Sequence, residues 1–439
     1  MSVLILHLRN SLKDTPYDRW LADYDGDLLL LASREHLELG GEELPGPDSG
    51  YTHVEAISGY QFGGGVEARV LELARKYDIR HIIAPQEQDL ERAARLREIL
   101  DLPGQRYESV LPYRNKMLMK DTVRAAGVEV AAYRDLECAL DLLTFADEHG
   151  YPVVVKPRDG AGSLGVRILR TPEALHAFLA DEGEPIIGGH GNLKVENFVS
   201  ETMCHVDGLV VDGQMIYAWP SQYLYALAAF QGDRGGRLDV TLDADDPLTP
   251  RLLDCADKCI AALPAPRDFA FHAEIFHTED DRVVLGEIAC RTGGAAQRDI
   301  QRALFDIDPT EAWIRAQVGL PLPFTPGAPR LVPLTLTGQL ALLKRPGVVE
   351  EMPGEPPFDW VRKQNLFIRA GDVLDEPAYA ADFLVTYVIA APTRAESVRR
   401  MRELEDWFLG ALRLGAGGVE PTARRARLAG MSEGTGNAR

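Results

Sequence analysis

The sequence is poor in the features that mark secreted, membrane-spanning and nucleic-acid-binding proteins. Its five cysteines form no CxxC pair, which is typical of reduced cytosolic thiols. Its 47 lysines and arginines are outnumbered by 67 aspartates and glutamates, and the net charge of −20 argues against nucleic acid as a principal partner. No hydrophobic run is long enough to cross a bilayer, and we find no signal-peptide pattern. We therefore expect a cytoplasmic protein without a membrane or nucleic-acid partner.

The chain also lacks internal repeats and a convincing nucleophilic triad. Its 439 residues, of which 46% are hydrophobic and 26% charged, are enough for two to four globular domains. Toward the N-terminus, strand-like runs such as Val3–Leu8 and Asp27–Ala32 alternate with helical patterns such as Gly65–Lys76. This alternation predicts an α/β (α+β) fold that begins with a parallel sheet covered by helices.

Two hairpins are predicted in the second half of the chain. Asp212-Gly213 separates two strand-like runs, and this dipeptide is a strong signal for a two-residue turn. Residues 279–282 separate another pair of runs, Ala273–Phe276 and Val283–Ile288. The proline-rich stretch Pro321–Pro333 indicates a linker.

The stretch 151–169 carries the most chemical information. A hydrophobic strand ends on Lys156, a turn containing Gly160, Gly162 and Ser163 follows, and a second β-rich run resumes at once. Glycines permit close backbone approach, and their N–H groups can form an anion-binding concavity. Because this loop joins two strands, we expect it to fold over a nucleotide as a flap rather than to act as a P-loop.

Two acids lie in the apolar strands of the second predicted hairpin, Glu274 and Glu287. Unpaired buried carboxylates are expensive, and a pair on neighbouring strands suits Mg²⁺. The alternative is a pair of exposed or salt-bridged glutamates. Arg291 follows shortly afterwards and could stabilise a developing oxyanion, or could form a structural ion pair.

A weaker pattern begins at Gly63. Residues 63–68 fit G-x-G-x-x-A, and Glu87 follows about twenty residues later, which is the outline of a dinucleotide-binding fingerprint. Several residues separate these glycines from the preceding strand-like run, Thr52–Ile57. A turn that starts a helix is therefore favoured over an NAD site.

Taken together, these pieces resemble the ATP-grasp superfamily, specifically its carboxylate–amine ligases, over roughly Val3 to Leu412. Lys116 resembles the first ATP lysine of that family, and Lys156 with the glycine loop resembles the second. Residues 195–199 resemble the adenine hinge, which contacts adenine mainly through backbone groups near Glu196 and Val199. The resemblance makes Glu274 and Glu287 the metal ligands and Arg291 the catalytic arginine.

The sequence departs from this family at two positions. Many members have an asparagine, as a third metal ligand, two residues after the second glutamate, where this chain has Ala289. Many also have a ribose-binding glutamate where this chain has Met203. For the ribose role, Glu201, His205 and Asp207 remain as alternatives.

The resemblance also implies a division of the chain into units. The expected units are a Rossmann-like pre-ATP-grasp domain (1–110), an ATP-grasp domain (111–325) with a flap subdomain (111–195) and a metal-binding subdomain (196–325), a β-rich lid (326–413) and a disordered tail (414–439).

The activity that the resemblance implies is an ADP-forming ligation. A carboxylate attacks the γ-phosphate of ATP, and an amine then displaces phosphate from the acyl phosphate, with ATP and Mg²⁺ as cofactors and Mn²⁺ able to replace Mg²⁺. The expected partners are small-molecule carboxylates and amines, and a homodimer is possible. The alternatives are acyl transfer to a carrier-protein thiol and a nucleotide-binding module without catalysis.

Overall fold

The structure of the protein is a computed structural model. It describes residues 1–9, 11–160, 165–181, 192–200, 202–225, 235–377 and 382–415. The candidate residues Gly162, Ser163 and Glu201 lie outside these ranges, as does most of the predicted tail. Within the described ranges, the larger sheets form three units along the chain.

The first unit is built on a parallel sheet. Its strands are β1 (Ser2–His7), β2 (Asp27–Ser33), β3 (His53–Ile57) and β4 (Ile79–Ile83), and its helices are α1 (Tyr17–Trp20), α2 (Arg34–Gly40), α3 (Gly65–Lys76) and α4 (Leu90–Ile99). The strand order is β3-β2-β1-β4, and every neighbouring pair is parallel. β1 is buried along its whole length, as expected for a parallel sheet covered on both faces. The predicted β/α alternation is thus confirmed.

Two helices, α5 (Tyr107–Arg114) and α6 (Lys116–Ala125), lead into a smaller antiparallel sheet. This second unit contains β5 (Tyr133–Asp135), α7 (Ala139–His149), β6 (Val153–Pro157), β7 (Arg167–Leu169), α8 (Pro172–Ala180) and β8 (Leu193–Asn197). The strand order is β5-β8-β6-β7. The glycine-rich segment connects β6 to its antiparallel neighbour β7, so it joins two strands as predicted.

The third unit is centred on an eight-stranded sheet. Its elements up to the linker are β9 (Met203–Val211), β10 (Gln214–Tyr223), β11 (Arg237–Thr241), α9 (Leu248–Ala262), β12 (Phe269–His277), β13 (Val283–Ala289), α10 (Gln297–Phe305) and α11 (Pro309–Gln317). Both predicted hairpins are present, as the antiparallel pairs β9–β10 and β12–β13. Asp212 and Gly213 both have positive φ, which the turn of a two-residue hairpin requires.

The C-terminal elements extend this same sheet. They are β14 (Leu336–Leu343), β15 (Gly347–Glu351), β16 (Val361–Leu366), β17 (Val373–Leu374), β18 (Phe383–Ala391), α12 (Arg394–Ala411) and β19 (Arg413–Gly415). The order of the large sheet is β13-β12-β9-β10-β11-β14-β18-β16. β15, β17 and β19 form a separate small sheet. The strands assigned to the lid on the basis of the sequence therefore continue the sheet that carries the two predicted metal-binding acids.

The two faces of the large sheet differ in chemistry. On β12, Phe271, Ala273 and Ile275 pack into the main hydrophobic core with Leu252 of α9. Because side chains alternate along a strand, His272 and Glu274 lie on the opposite face. The burial of one apolar face against helices therefore determines which face is left for polar side chains.

Candidate active site

Three neighbouring strands bring the predicted acids together. Glu274 of β12 is the direct partner of Glu287 of β13, and it is also the direct partner of His205 on β9. Directly opposed residues in an antiparallel pair lie on the same face with their Cβ atoms about 5 Å apart. We call Glu274 and Glu287 the carboxylate pair.

The carboxylate pair is only partly shielded from solvent. Their side chains are 30% and 27% exposed, and the Lys116 ammonium lies 3.3 Å from a Glu287 oxygen. Burial alone would raise the pKa of Glu274, but His272 and the two nearby lysines outweigh this and lower it. Both carboxylates are therefore accessible, and Glu274 is held in its anionic form.

Three lysines surround one glutamate on the flap side of the site. Glu196 of β8 accepts from Lys194 at 2.6 Å, from Lys156 of β6 at 2.6 Å and from Lys120 of α6 at 2.8 Å. We call these four residues the lysine cluster. Burial would raise the pKa of Glu196, but the three ammonium groups hold it well below its usual range. One carboxylate cannot neutralise three ammonium groups, so the cluster retains a surplus of positive charge.

Burial affects the lysines of this cluster unequally. Desolvation lowers the pKa of Lys194 to about 7 despite the contact with Glu196. At Lys156, desolvation is outweighed by Glu196, Glu287 and Glu274, and the pKa is raised. Lys156 is thus a permanent cation, whereas Lys194 titrates near neutrality.

Local structure explains how these lysines are positioned. Asn115 caps α6, and its side chain accepts from the backbone N–H groups of Met117 and Leu118. Lys116 is therefore the first residue of the helix, and its ammonium donates to the Gly160 carbonyl at 2.6 Å. Lys120 lies one turn later on the same side of α6. This arrangement connects the helix directly to the start of the glycine loop.

Arg291 is engaged in a buried ion pair. Its Nε and one terminal nitrogen each lie 2.6 Å from Glu87, and Arg114 contacts the other Glu87 oxygen at 2.5 Å. Burial would raise the pKa of Glu87, but the two guanidinium groups lower it to about 2. Arg114 also donates to the Asp159 carbonyl at the flap. The Glu87 carboxylate thus binds arginines, in contrast to the ribose contact that the weak dinucleotide fingerprint would require.

A second buried network lies beside the carboxylate pair. His205 Nδ1 lies 2.6 Å from Asp207, its Nε2 lies 3.0 Å from both Asp239 oxygens, and Gln297 donates to Asp239 at 2.6 Å. The other Asp207 oxygen lies 3.0 Å from His272 Nδ1. We call these five residues the histidine network. Burial would lower the pKa of His205, but the two aspartates raise it to about 10.

This network bears on the ribose assignment. His205 is fully buried, Asp207 is nearly so, and both bind neighbouring side chains through all their polar atoms. Their burial and these bonds give His205 and Asp207 structural partners, and their assignment to the ribose stays a prediction. Glu201, the third alternative, lies outside the described ranges.

The structure thus brings together residues that sequence reasoning assigned separately. Lys116 and Lys156 both lie near Glu287, Gly160 accepts from Lys116, and Val199 follows two residues after β8. Sequence reasoning missed Lys120 and Lys194, although each has a visible signal. Lys120 is four residues from Lys116 on a helix, and Lys194 is two residues from Glu196 on a strand. His272 has the same signal, two residues from Glu274 on a strand, whereas other partners have no signal at short range, namely Glu87, Arg114, Asp239 and Gln297.

The described part of the chain has no helix with both the length and the apolar character needed to span a bilayer. The polar site has a cationic side, formed by the lysine cluster, and an anionic side, formed by the carboxylate pair.

Comparisons with known proteins agree with this chemistry. Residues 115–211 match the family model for the carbamoyl-phosphate synthase L chain, ATP binding domain. An L-arginine-specific L-amino acid ligase from Bacillus subtilis is 25% identical over 328 residues, which cover 71% of this chain and 75% of the relative.

Solved structures show the same fold. The structure of an L-amino acid ligase from Bacillus licheniformis superposes with a TM-score of 0.72 at 16% identity, covering 95% of this chain and 99% of that one. A carboxyaminoimidazole ribonucleotide synthase from Aspergillus clavatus, complexed with ATP, superposes with a TM-score of 0.66 at 17% identity, covering 93% and 99%. The α/β fold predicted from the sequence, with its ATP-grasp architecture, is confirmed.

Proposed function

We propose that this chain, an ATP-dependent ligase of the ATP-grasp superfamily, activates the carboxylate of one small molecule as an acyl phosphate and joins it to the amine of another. The observation that carries the proposal is the convergence of the lysine cluster and the carboxylate pair on one site. The likeness to two L-amino acid ligases favours amino-acid-like substrates and an amide product.

The lysine cluster is suited to the phosphate chain of ATP. Phosphoryl transfer depends on positioning and charge neutralisation more than on covalent help from the protein. Lys156 of this cluster lies on a flap strand, and Lys116, which is outside the cluster, lies on α6, so their ammonium groups can hold the nucleotide between two units. The flap loop after Asp159 would then exclude water from the acyl phosphate.

The carboxylate pair is suited to Mg²⁺. Two opposed, partly exposed carboxylates match the one or two that Mg²⁺ takes from protein when substrate phosphates supply further oxygens. Bound Mg²⁺ would neutralise charge on the phosphates during transfer. Glu274 and Glu287 would hold it, and Lys116 would keep the Glu287 carboxylate oriented.

Arg291 is assigned to the attack step. The acyl phosphate carries negative charge beside a carbonyl that becomes an oxyanion when the amine attacks, and a guanidinium can bridge both. Nε and Nη2 contact one Glu87 oxygen and Nη1 donates to the Thr292 carbonyl, so the plane of the guanidinium is fixed. Its bond to Glu87 makes Arg291 a rigid donor, which reduces reorganisation during the reaction.

The experiment is a phosphate-release screen of amino-acid pairs with ATP and Mg²⁺, followed by mass spectrometry of the products. We expect ADP and phosphate to form only when a carboxylate substrate is present, and a mass that corresponds to an amide. The control is Glu287→Gln, which should bind nucleotide without turnover. Nucleotide binding without carboxylate-dependent ADP formation in any pair would favour a binding module instead.

A further inference from the structure

We propose that His272 is a third protein ligand of the metal site, in the place left open by Ala289, and that it shifts the site toward transition-metal ions such as Mn²⁺ and Co²⁺. The proposal rests on the proposed function, because it concerns the same carboxylate pair. It adds a ligand and a metal preference that neither the family resemblance nor the comparisons assign.

Strand register places His272 beside the carboxylate pair. Glu274 lies opposite Glu287, and His272, two residues earlier on β12, lies opposite Ala289, two residues after Glu287. These four positions form the corners of one square on the same face of the sheet. In the family pattern of two glutamates and an asparagine, three of these four positions would hold the metal ion, and position 289 would be one of them. Here that corner carries only a methyl group, and the fourth corner carries an imidazole.

The imidazole is oriented toward the carboxylate pair. His272 Nε2 lies 3.7 Å from a Glu274 oxygen, which is longer than a hydrogen bond but suits two ligand atoms that share one ion. The side chain is 92% buried. The buried ring nitrogen therefore faces a Glu274 oxygen as its partner in an ion pair.

The other ring nitrogen is held in the manner of a metal ligand. His272 Nδ1 lies 3.0 Å from Asp207, and the second Asp207 oxygen is fixed by His205. Histidines that ligate metals commonly donate their other ring N–H to a carboxylate, which fixes the tautomer and the ring orientation. A metal ion at Nε2 would take the place of the second ring proton. The histidine network thus acquires a role as support for one ligand.

The other members of the network are less suitable as ligands. His205, Asp207 and His272 offer atoms within 4.8 Å of one another, and together they could also surround an ion. Both nitrogens of His205 are already bonded to aspartates at 2.6 and 3.0 Å, however. The geometry points to the Nε2 side of His272.

Ligand chemistry gives the metal preference. Mg²⁺ favours carboxylate, carbonyl and water oxygens, whereas an imidazole nitrogen is a better ligand for first-row transition-metal ions, with an affinity that rises from Mn²⁺ to Co²⁺. Replacement of a carboxamide by an imidazole should therefore raise the affinity for Mn²⁺ and Co²⁺ relative to Mg²⁺.

The decisive measurement is pulsed electron paramagnetic resonance of Mn²⁺ and ADP bound to the full chain labelled with ¹⁵N-histidine. We expect a ¹⁵N coupling to Mn²⁺ in the wild-type protein. It should be absent in His272→Ala and retained in His277→Ala, a matched control on the same strand whose ring bonds to Asp281. Bound Mn²⁺ without histidine coupling in the wild-type protein would overturn this inference and leave the proposed function intact. No binding of Mn²⁺ and ADP at all would overturn both.

A rescue experiment tests the geometry. His272→Ala should weaken Mn²⁺ binding by about tenfold or more, on the scale of losses seen when metal ligands lose their support. His272→Ala with Ala289→Asn restores an oxygen ligand at the opposite corner, and should recover Mg²⁺ binding better than Mn²⁺ binding. Coupling that persists in His272→Ala but vanishes in His205→Gln would overturn the assignment in favour of the neighbouring trio.

Discussion

The two sides of the proposed site carry opposite surpluses of charge. The lysine cluster has three lysines for one carboxylate, and it is built from α6 and the small flap sheet. The carboxylate pair lies on the large sheet, with Lys116 3.3 Å from Glu287 and with His272, which Asp207 also binds, 3.7 Å from Glu274. A nucleotide with its metal ion would neutralise both surpluses at once. Each side is therefore electrostatically incomplete without the other and the substrate between them.

The largest effect on turnover should come from a substitution in the carboxylate pair on the large sheet. We expect Glu287→Gln to lower kcat by at least about 10²–10³, the scale of losing one preorganised electrostatic contact in a reacting site. The melting temperature should change little because the side chain is partly exposed. Glu279→Gln, in the turn of the same hairpin, is the matched control and should keep wild-type turnover. Normal kcat in Glu287→Gln would remove the carboxylate pair from the chemistry.

A substitution at Arg291 tests whether this residue acts in catalysis or only in the ion pair with Glu87. Arg291→Lys keeps the charge but loses the fork of donors, so we expect kcat for amide formation to fall by about 10² while ATP affinity changes much less. Steady-state kinetics together with calorimetric ATP titration separate these quantities. If kcat stays normal, Arg291 is only the partner of Glu87.

The lysine cluster should affect binding more than catalysis. We expect Lys156→Met to weaken ATP binding by about 1.5–3 kcal/mol, which is roughly 10- to 150-fold, since a charged hydrogen bond is lost. Lys258→Met, an exposed lysine on α9 paired with Asp254, is the control. Unchanged ATP affinity in Lys156→Met would mean that the surplus charge serves another ligand.

The smallest effect should appear in the pH dependence of nucleotide binding. Desolvation lowers the pKa of Lys194 to about 7, so at pH 8 its ammonium is mostly deprotonated in the free protein. Phosphate oxygens should restore the proton, and ATP affinity should therefore fall as pH rises above 7, by less than about tenfold per pH unit. Titrations in buffers of different ionisation enthalpy should show proton uptake in the wild-type protein and less uptake in Lys194→Met.

The lowered pKa of Lys194 also predicts a pH dependence of the stability of the free protein. Its folded pKa lies below its unfolded value, so the unfolded chain binds more protons between about pH 7 and 10. The contribution of Lys194 to the free energy of unfolding should therefore rise with pH across this window. Denaturant titrations of the wild-type protein and Lys194→Met would show whether the difference between them changes in that direction.

The local features of the fold could be predicted from the sequence, but the pairing of strands that are distant in the chain could not. The Asp212-Gly213 turn was predictable because its chemistry lies in two adjacent residues. The pairing of β11 with β14 was not, since no local pattern selects one strand among many as a neighbour. The α/β alternation of the first unit was also predicted correctly, because it too is visible in short stretches of sequence.

In the candidate site, too, contacts between residues close in the chain were predictable and contacts between distant residues were not. Glu274 and Glu287 were found because a short hairpin places them opposite each other. Arg291 and Glu87 are 204 residues apart, and their contact requires the first unit to dock against the large sheet. His272 and Ala289 were visible as residues, but their significance depends on a register that only the structure supplies.

The continuation of the large sheet through β14 limits how the chain can be shortened. β11 is buried along its whole length and pairs with β10 on one side and β14 on the other. A chain that ends before Leu336 would leave β11 as an open edge with unpaired backbone groups, and such edges template association between copies. It would also remove Gln339, the strand neighbour of Asp239. The position of Asp239 and its contact with His205 would then be disturbed. The C-terminal segment is therefore a solubility element for the strands that precede it, and its removal should produce aggregates rather than a smaller enzyme.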